Sequence, residues 1–350
     1  GLVSVQARFE LQLEKSHFLS EKYGARIYLK REDLSPIRSY KLRGAYNFIT
    51  QQVKNGSNGF VCASAGNHAQ GFALACNKYQ SKGVVFMPST TPSQKVNKVL
   101  KFGGEYIELR IEGDTFDDAY TRAQQYCSEN SKTFVHPFDE PLIIAGQGTV
   151  GLEILAQCKY HIDFLMAPIG GGGLISGVST YFKHMSPETK IVGIEPEGAP
   201  SMTKALETGK VVELKKIDSF VDGAALKKVG EATFNIVKEN VDQVVTVPEG
   251  RVCTTMLDLL YEDGIVTEPA GALSIDALKD FKEEIKGKTV VCILSGGNFD
   301  FERLPEVKER SLIYEGLKHY FVVNFAQRAG ALKEFLDVLG PNDDITRFEY

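Results

Sequence analysis

Two features of this 350-residue chain could do chemistry together: an unbroken run of four glycines, Gly170 to Gly173, and a lysine, Lys41, within Ser39-Tyr40-Lys41-Leu42-Arg43-Gly44. Each glycine forgoes roughly 0.5–1 kcal/mol of chain entropy relative to alanine, so four in a row need a reason. The run follows the strand-like DFLMAPI and precedes LISGVSTYF, which reads as a helix. Backbone N–H groups free of side chains at a helix start can cradle a phosphate. A phosphorylated aldehyde cofactor also needs one amine for a Schiff base, and Lys41 could supply it. The neighbouring cations Arg38 and Arg43 are expected to depress its pKa toward the reactive neutral form. Alone, such a lysine reads as a solvated charge and such a run as a flexible turn; together they point to one site.

Two nucleotide signatures are weaker. GQGTVG, Gly146 to Gly151, fits GxGxxG and opens a helix-like stretch, which raises a nicotinamide-dependent dehydrogenase. The acidic residue required about 20 positions later to hold a ribose is missing, because that point falls in the glycine run; the segment is expected to be a loop-to-helix joint. Gly287-Lys288-Thr289 lacks the leading glycine of a P-loop and reads as a turn before VVCIL.

The elements that must position these residues alternate along the chain. Strand-like ARIYLKRE, GFVCAS and GVVFMPS are each followed by a helical stretch, YKLRGAYNFITQQV, AQGFALACNKY and SQKVNKVLKF, and the pattern continues through DFLMAPIG, TKIVGIEP and TVVCILSGG. Such alternation predicts parallel α/β sheets, in which ligands sit outside the carboxyl ends of the strands. ASAGNH, PIGGGG, IEPEGA and LSGGN all stand at such ends, so one shared crevice is expected.

Composition narrows the function. With 43% hydrophobic and 24% charged residues the chain can bury a sizeable core and hold more than one domain. A net charge of −5 and a pI near 5.8 give no general attraction to nucleic acid. Cys62, Cys76, Cys127, Cys158, Cys253 and Cys292 are scattered without metal-ligand spacing, so no metal site and a reducing compartment are expected. No apolar stretch is long enough to span a bilayer and no secretory signal opens the chain, which predicts a soluble, cytoplasmic protein. A start at Gly1 suggests trimming and leaves an organelle leader open.

SYKLRGA, SAGNHAQG, AGQGT, the four-glycine loop, EPAGALS and SGGN together resemble the fold-type II pyridoxal-phosphate enzymes, and with DGAA and YEGLKHYFVVNF they resemble the threonine ammonia-lyase (threonine deaminase) family over nearly the whole chain. The resemblance implies an α/β fold of two lobes, each a mostly parallel sheet flanked by helices. The catalytic domain would cover 1–313, with a small lobe at about 40–140. Residues 314–350 would be the first part of an ACT-like α+β regulatory domain, with KHYFVVNF a strand, AGALKEFLDVL a helix and ITRFEY a second strand. That domain looks cut short, so only a weak response to isoleucine is expected unless it is complete. Relatives are commonly homo-oligomers, tetramers or dimers.

By similarity, pyridoxal 5'-phosphate is the cofactor and L-threonine the substrate, converted to 2-oxobutanoate and ammonia in the first step of isoleucine biosynthesis. Lys41 would hold the cofactor and then take the Cα proton, with Tyr40 packed on the cofactor plane. Asn67 would bond the ring hydroxyl, and Ser64, Ala65, Gly66, Asn67 and His68 would hold the substrate carboxylate. Gly170, Gly171, Gly172, Gly173 and Leu174 would bind the phosphate, and Ser295 would face the pyridine nitrogen, where a neutral hydroxyl favours elimination over transamination. His68 could act as a base, but a loop brace is the simpler role. Glu268 could position substrate or cap the following helix. Racemases of the family carry a serine where Ala65 stands. Departures from the family pattern fall in RFELQLEKSHFLSEKY, at Phe299 and in FAQRAG; whether a monovalent cation near Glu195 in IEPEGA supports the fold is left to the structure. The competing readings are a serine-preferring dehydratase and a catalytically silent amino-acid-binding relative.

Overall fold

The computed structural model describes residues 10–349, so the beginning of RFELQLEKSHFLSEKY and the last residue of ITRFEY lie outside the described residues. The chain begins with β1 (Leu13–Lys15), α1 (His17–Tyr23), β2 (Arg26–Arg31) and α2 (Lys41–Lys54). It continues with β3 (Phe60–Ala63), α3 (Asn67–Lys78), β4 (Gly83–Met87), α4 (Ser93–Gly103), β5 (Ile107–Ile111), α5 (Phe116–Glu129) and β6 (Thr133–Phe134). Next come α6 (Pro141–Gln157), β7 (Phe164–Pro168), α7 (Gly173–Met185), β8 (Lys190–Pro196), α8 (Ser201–Thr208), α9 (Glu231–Asn240) and β9 (Gln243–Val247). The last elements are α10 (Glu249–Glu262), α11 (Pro269–Asp276), β10 (Thr289–Leu294), α12 (Leu304–Tyr314) and α13 (Ala331–Leu336).

Two sheets result. The larger has the order β1-β2-β10-β7-β8-β9, parallel except for β1, with Val290 opposite both Ile27 and Phe164. The smaller has the order β5-β4-β3-β6 and is parallel throughout. Every residue of β3, β4, β7 and β10 is buried. Helices cover both faces of a parallel sheet, so its inner strands must be continuously apolar. Separate apolar clusters fill the space on either side of each sheet.

GQGTVG is not a loop-to-helix joint. It lies inside α6, where its glycines allow three helices to meet. A Cβ on Gly146 would stand 2.7 Å from the Arg43 carbonyl oxygen on α2, and one on Gly177 of α7 would stand 2.2 Å from the Ile144 carbonyl oxygen. The missing side chains permit backbone contact that any Cβ would prevent.

The expected strands in KHYFVVNF and ITRFEY do not form. Among the described residues, 318–325 and 345–349 pair with no strand, and only α13 appears between them. Phe321 is 78% and Val322 97% exposed. A strand needs a neighbour to receive its backbone bonds, and no partner edge lies beside either segment.

Candidate active site

Lys41 is the first residue of α2, as its sequence context predicts. The front of that helix is anchored to the large sheet just beyond β10: Ser39 bridges Gly296, and the Tyr40 N–H donates to the Ser295 carbonyl at 3.1 Å. The Lys41 ammonium donates to the Pro137 carbonyl at 2.8 Å and lies 5.5 Å from the centre of the Tyr40 ring. Burial pushes this amine down to about 8, while Glu268 opposes the shift. The neighbouring cations are not the cause. Arg43 is turned away, its guanidinium shared between Glu32 at 2.8 Å and Glu153 at 2.7 Å.

The glycine run lies between β7 and α7, facing Lys41 across the residue 135–139 loop. A Cβ on Gly171 would stand 2.3 Å from the Phe138 ring, and one on Gly173 would stand 3.0 Å from the Phe138 Cβ. Gly172 has φ +91°, and a Cβ there would meet Thr233 at 2.8 Å. Leu174 is buried in the first turn of α7. This is a backbone cradle opening onto a helix N-terminus, the arrangement an anion requires.

Asn67, the first residue of α3, is held at both ends of its amide. Its Nδ2 donates to Glu268 at 2.8 and 3.1 Å, and its Oδ1 accepts from Asn298 at 2.7 Å. Glu268 makes no side-chain cap for α11, so the capping alternative is replaced by this bond across the crevice. Burial raises its carboxyl to about 7, against the lowering effect of Asn67. Ser64 donates nothing to Glu268; its hydroxyl accepts from the Gly66 N–H at 3.1 Å and shapes the turn into α3. Ala65 and Gly66 complete that turn, and the first-turn amides of α3 are the donors available to a carboxylate. His68 is buried with Nε2 3.0 Å from the Val135 carbonyl. Burial, then Lys41, lowers its pKa to about 3, so it stays neutral and braces the loop.

Ser295 is buried directly after β10, with its hydroxyl 3.4 Å from the Ala270 carbonyl. The ends of β3, β7 and β10 therefore converge. IEPEGA, which begins in the last three residues of β8, lies alongside: the Glu195 carboxylate accepts from the Met202 and Thr203 amides at 2.7 and 2.8 Å and from the Thr203 hydroxyl at 2.7 Å. Among the described residues no cluster of acidic, histidine or cysteine side chains could hold a metal, and no helix is long and apolar enough to cross a membrane.

Sequence reasoning missed the loop Val135–Asp139 and Thr233. The loop follows β6, a strand of two residues that carries no periodic signal. Its stretch HPFDEP was nonetheless a polar segment at a strand end, the same signal that identified the other loops.

These residues suit a phosphorylated aldehyde: a half-buried amine of lowered pKa, a cradle that any Cβ would fill, and a buried neutral hydroxyl. Residues 6–296 match the family described as pyridoxal-phosphate dependent enzyme, and residues 309–350 match the C-terminal regulatory domain of threonine dehydratase. The chain is 59% identical over 340 residues to L-threonine dehydratase biosynthetic IlvA of Halalkalibacterium halodurans, covering 97% of this chain and 82% of that protein. It is 57% identical over 340 residues to the protein of the same name from Bacillus subtilis, covering 97% and 81%. The processed form of threonine deaminase isoform 2 from Solanum lycopersicum superposes with a TM-score of 0.83 at 41% identity, over 87% of this chain and 88% of that one. The chain therefore belongs to the pyridoxal-phosphate dependent enzymes and, among them, to the biosynthetic threonine dehydratases.

Proposed function

We propose that this protein removes water and then ammonia from L-threonine, yielding 2-oxobutanoate, as the entry step of isoleucine biosynthesis. The observation that carries the proposal is the Lys41 amine, half-buried, shifted down to about 8, and joined through Pro137 and Phe138 to the glycine run. The threonine dehydratase and deaminase names of its relatives support the same substrate.

Pyridoxal phosphate, held by Lys41 and by the backbone of Gly170 to Leu174, supplies a ring that draws electrons from the substrate Cα. Tyr40 would pack against the ring, Asn67 would bond the ring hydroxyl, and Ser295 would offer its hydroxyl to the ring nitrogen. The turn from Ser64 to His68 binds the substrate carboxylate at the α3 N-terminus. Once the substrate amine has displaced it from the cofactor, Lys41 Nζ would accept the proton from Cα, and as the Cβ–O bond breaks the hydroxyl would leave as water with that proton. The released enamine hydrolyses to 2-oxobutanoate and ammonium. Ala65 offers no hydroxyl to return a proton on the opposite face, which favours elimination over racemisation.

The same proposal divides the chain into a catalytic domain at 1–313, with its small lobe near 40–140, and a regulatory segment at 314–350. It includes a cytoplasmic homo-oligomer, tetramer or dimer, and isoleucine as effector wherever the regulatory domain is complete; the match of residues 309–350 supports the regulatory part. The test is keto-acid formation from L-threonine with and without added pyridoxal phosphate, in wild type and Lys41→Ala. Cofactor-dependent 2-oxobutanoate, lost in the variant, is expected. Faster pyruvate formation from L-serine would make the protein a serine dehydratase, and amino-acid binding without keto acid would make it a silent relative.

A further inference from the structure

The loop Val135–Asp139 touches three parts of the site. Its Val135 carbonyl meets His68, its Pro137 carbonyl receives the Lys41 amine, and its Phe138 ring lies against the glycine run. His136 shapes the turn, its Nδ1 accepting from the N–H groups of Phe138 at 3.2 Å and Asp139 at 2.8 Å. Asp139 then leaves the crevice and caps α9, accepting from the backbone N–H groups of Glu231, Ala232 and Thr233 at 3.0, 3.0 and 3.1 Å. These three amides have no partner inside α9, and a carboxylate also complements the positive end of the helix.

The capped helix returns to the site through Thr233, which is fully buried. Its hydroxyl donates to the Gly171 carbonyl at 2.7 Å, with the Gly230 carbonyl further away at 3.2 Å. The Thr233 side chain also fills the space beside Gly172, the residue with φ +91°. Holding the Gly171 carbonyl outward turns the N–H of the same peptide, that of Gly172, the opposite way toward the crevice, because one peptide plane sets the direction of both its groups.

We propose that Thr233, held in register by Asp139, is a positioning residue that orients the glycine backbone for the cofactor phosphate and ties the cradle to the loop that seats Lys41. The inference rests on the phosphate role of Gly170 to Gly173 proposed above and adds the residues that set its geometry. Thr233 acts on the cradle backbone, through its bond to the Gly171 carbonyl.

Two aldehydes test it, pyridoxal phosphate and pyridoxal, each titrated into cofactor-stripped full-length protein and followed by absorbance. Thr233→Val removes the hydroxyl at constant shape, and Thr233→Ser keeps it. Thr233→Val should weaken pyridoxal phosphate roughly tenfold, the effect of one lost hydrogen bond to a buried group, and leave pyridoxal within about twofold. Thr233→Ser should restore most of the loss, and Asp139→Asn should weaken the phosphorylated aldehyde in the same selective way. Equal losses for both aldehydes, or no loss in a Thr233→Val protein of wild-type circular dichroism, would overturn the proposal. If Thr233→Val does not fold, Asp139→Asn and Thr233→Ser carry the test by the same selectivity. A wild-type protein that binds the two aldehydes equally would instead sink the glycine-run reading itself.

Discussion

The Lys41 ammonium points at the Pro137 carbonyl from 2.8 Å, so the reactive amine is seated by the loop that also presses Phe138 onto the glycine run. A single carbonyl partner in a buried setting stabilises the ammonium less than water does, which agrees with the fall to about 8. Only the neutral amine attacks an aldehyde, and it accumulates as pH rises through this value. The rate of pyridoxal phosphate capture by cofactor-free protein should reach half its limit near pH 8, rather than near the ordinary lysine value of about 10.4. Stopped-flow absorbance across pH 6.5 to 9.5 checks it, and a rate still climbing at the upper end contradicts the assignment.

Arg43 lies two residues from Lys41 and neutralises two carboxylates at once. Glu32 is fully buried and the Glu153 side chain is 14% exposed, and Lys30, also fully buried, pairs with Glu153 at 2.5 Å. Arg43→Met leaves both acids short of a partner and should cost about 3–5 kcal/mol of stability. Arg43→Lys should recover only part, because an ammonium cannot fork between two carboxylates. Urea unfolding midpoints decide it; a Met variant as stable as wild type would refute it.

Adding one methyl group at Gly177 should disrupt the meeting of α6 and α7. The new Cβ would stand 2.2 Å from the Ile144 carbonyl oxygen and 2.6 Å from the Gly148 nitrogen, both backbone atoms. Overpacking of this kind costs about 1–3 kcal/mol, and helix propensity returns less than about 1 kcal/mol. Gly177→Ala should therefore melt lower than wild type, and a higher melting temperature would show that the helices can part freely.

Acid should destabilise the fold through its neutral histidines. His68 is lowered to about 3 and His136 to about 4, mainly by burial. Between the unfolded value, about 6.5, and these folded values, the unfolded chain binds more protons. Stability is thus fully present above the unfolded value and falls as pH falls. His68→Gln keeps a donor for Val135 and removes one titration, so the slope between pH 6 and 4 should flatten by up to about 1.4 kcal/mol per pH unit. An unchanged slope would mean that His68 is protonated in the folded state.

The parts of the fold that could be read from sequence share one physical property. β2, β3, β4, β7, β8 and β10 are the interior strands of the two sheets, and their apolar character is visible residue by residue. β1, β5, β6 and β9 are the four sheet edges and are half solvated, so polar residues interrupt their apolar ones or too few residues remain to form a run. Lys41 and the glycine run were legible because their types are unusual for their surroundings. Thr233 and Asp139 were not, because an ordinary helix start and an ordinary loop acid acquire meaning only when folding brings Gly171 beside them. GQGTVG misled in the opposite way, since glycines spaced for a nucleotide loop also suit close helix packing.

The bridge from Ser39 to Gly296 places the reactive amine at an unusual mechanical position. Lys41 follows that bridge by two residues, whereas Lys54, at the other end of α2, lies about 20 Å away by helix rise. Were the smaller sheet to swing relative to the larger, α2 would sweep like a door while its first residue stayed near the hinge pin. The short lever arm at Lys41 would let the crevice change width with little displacement of its working atom.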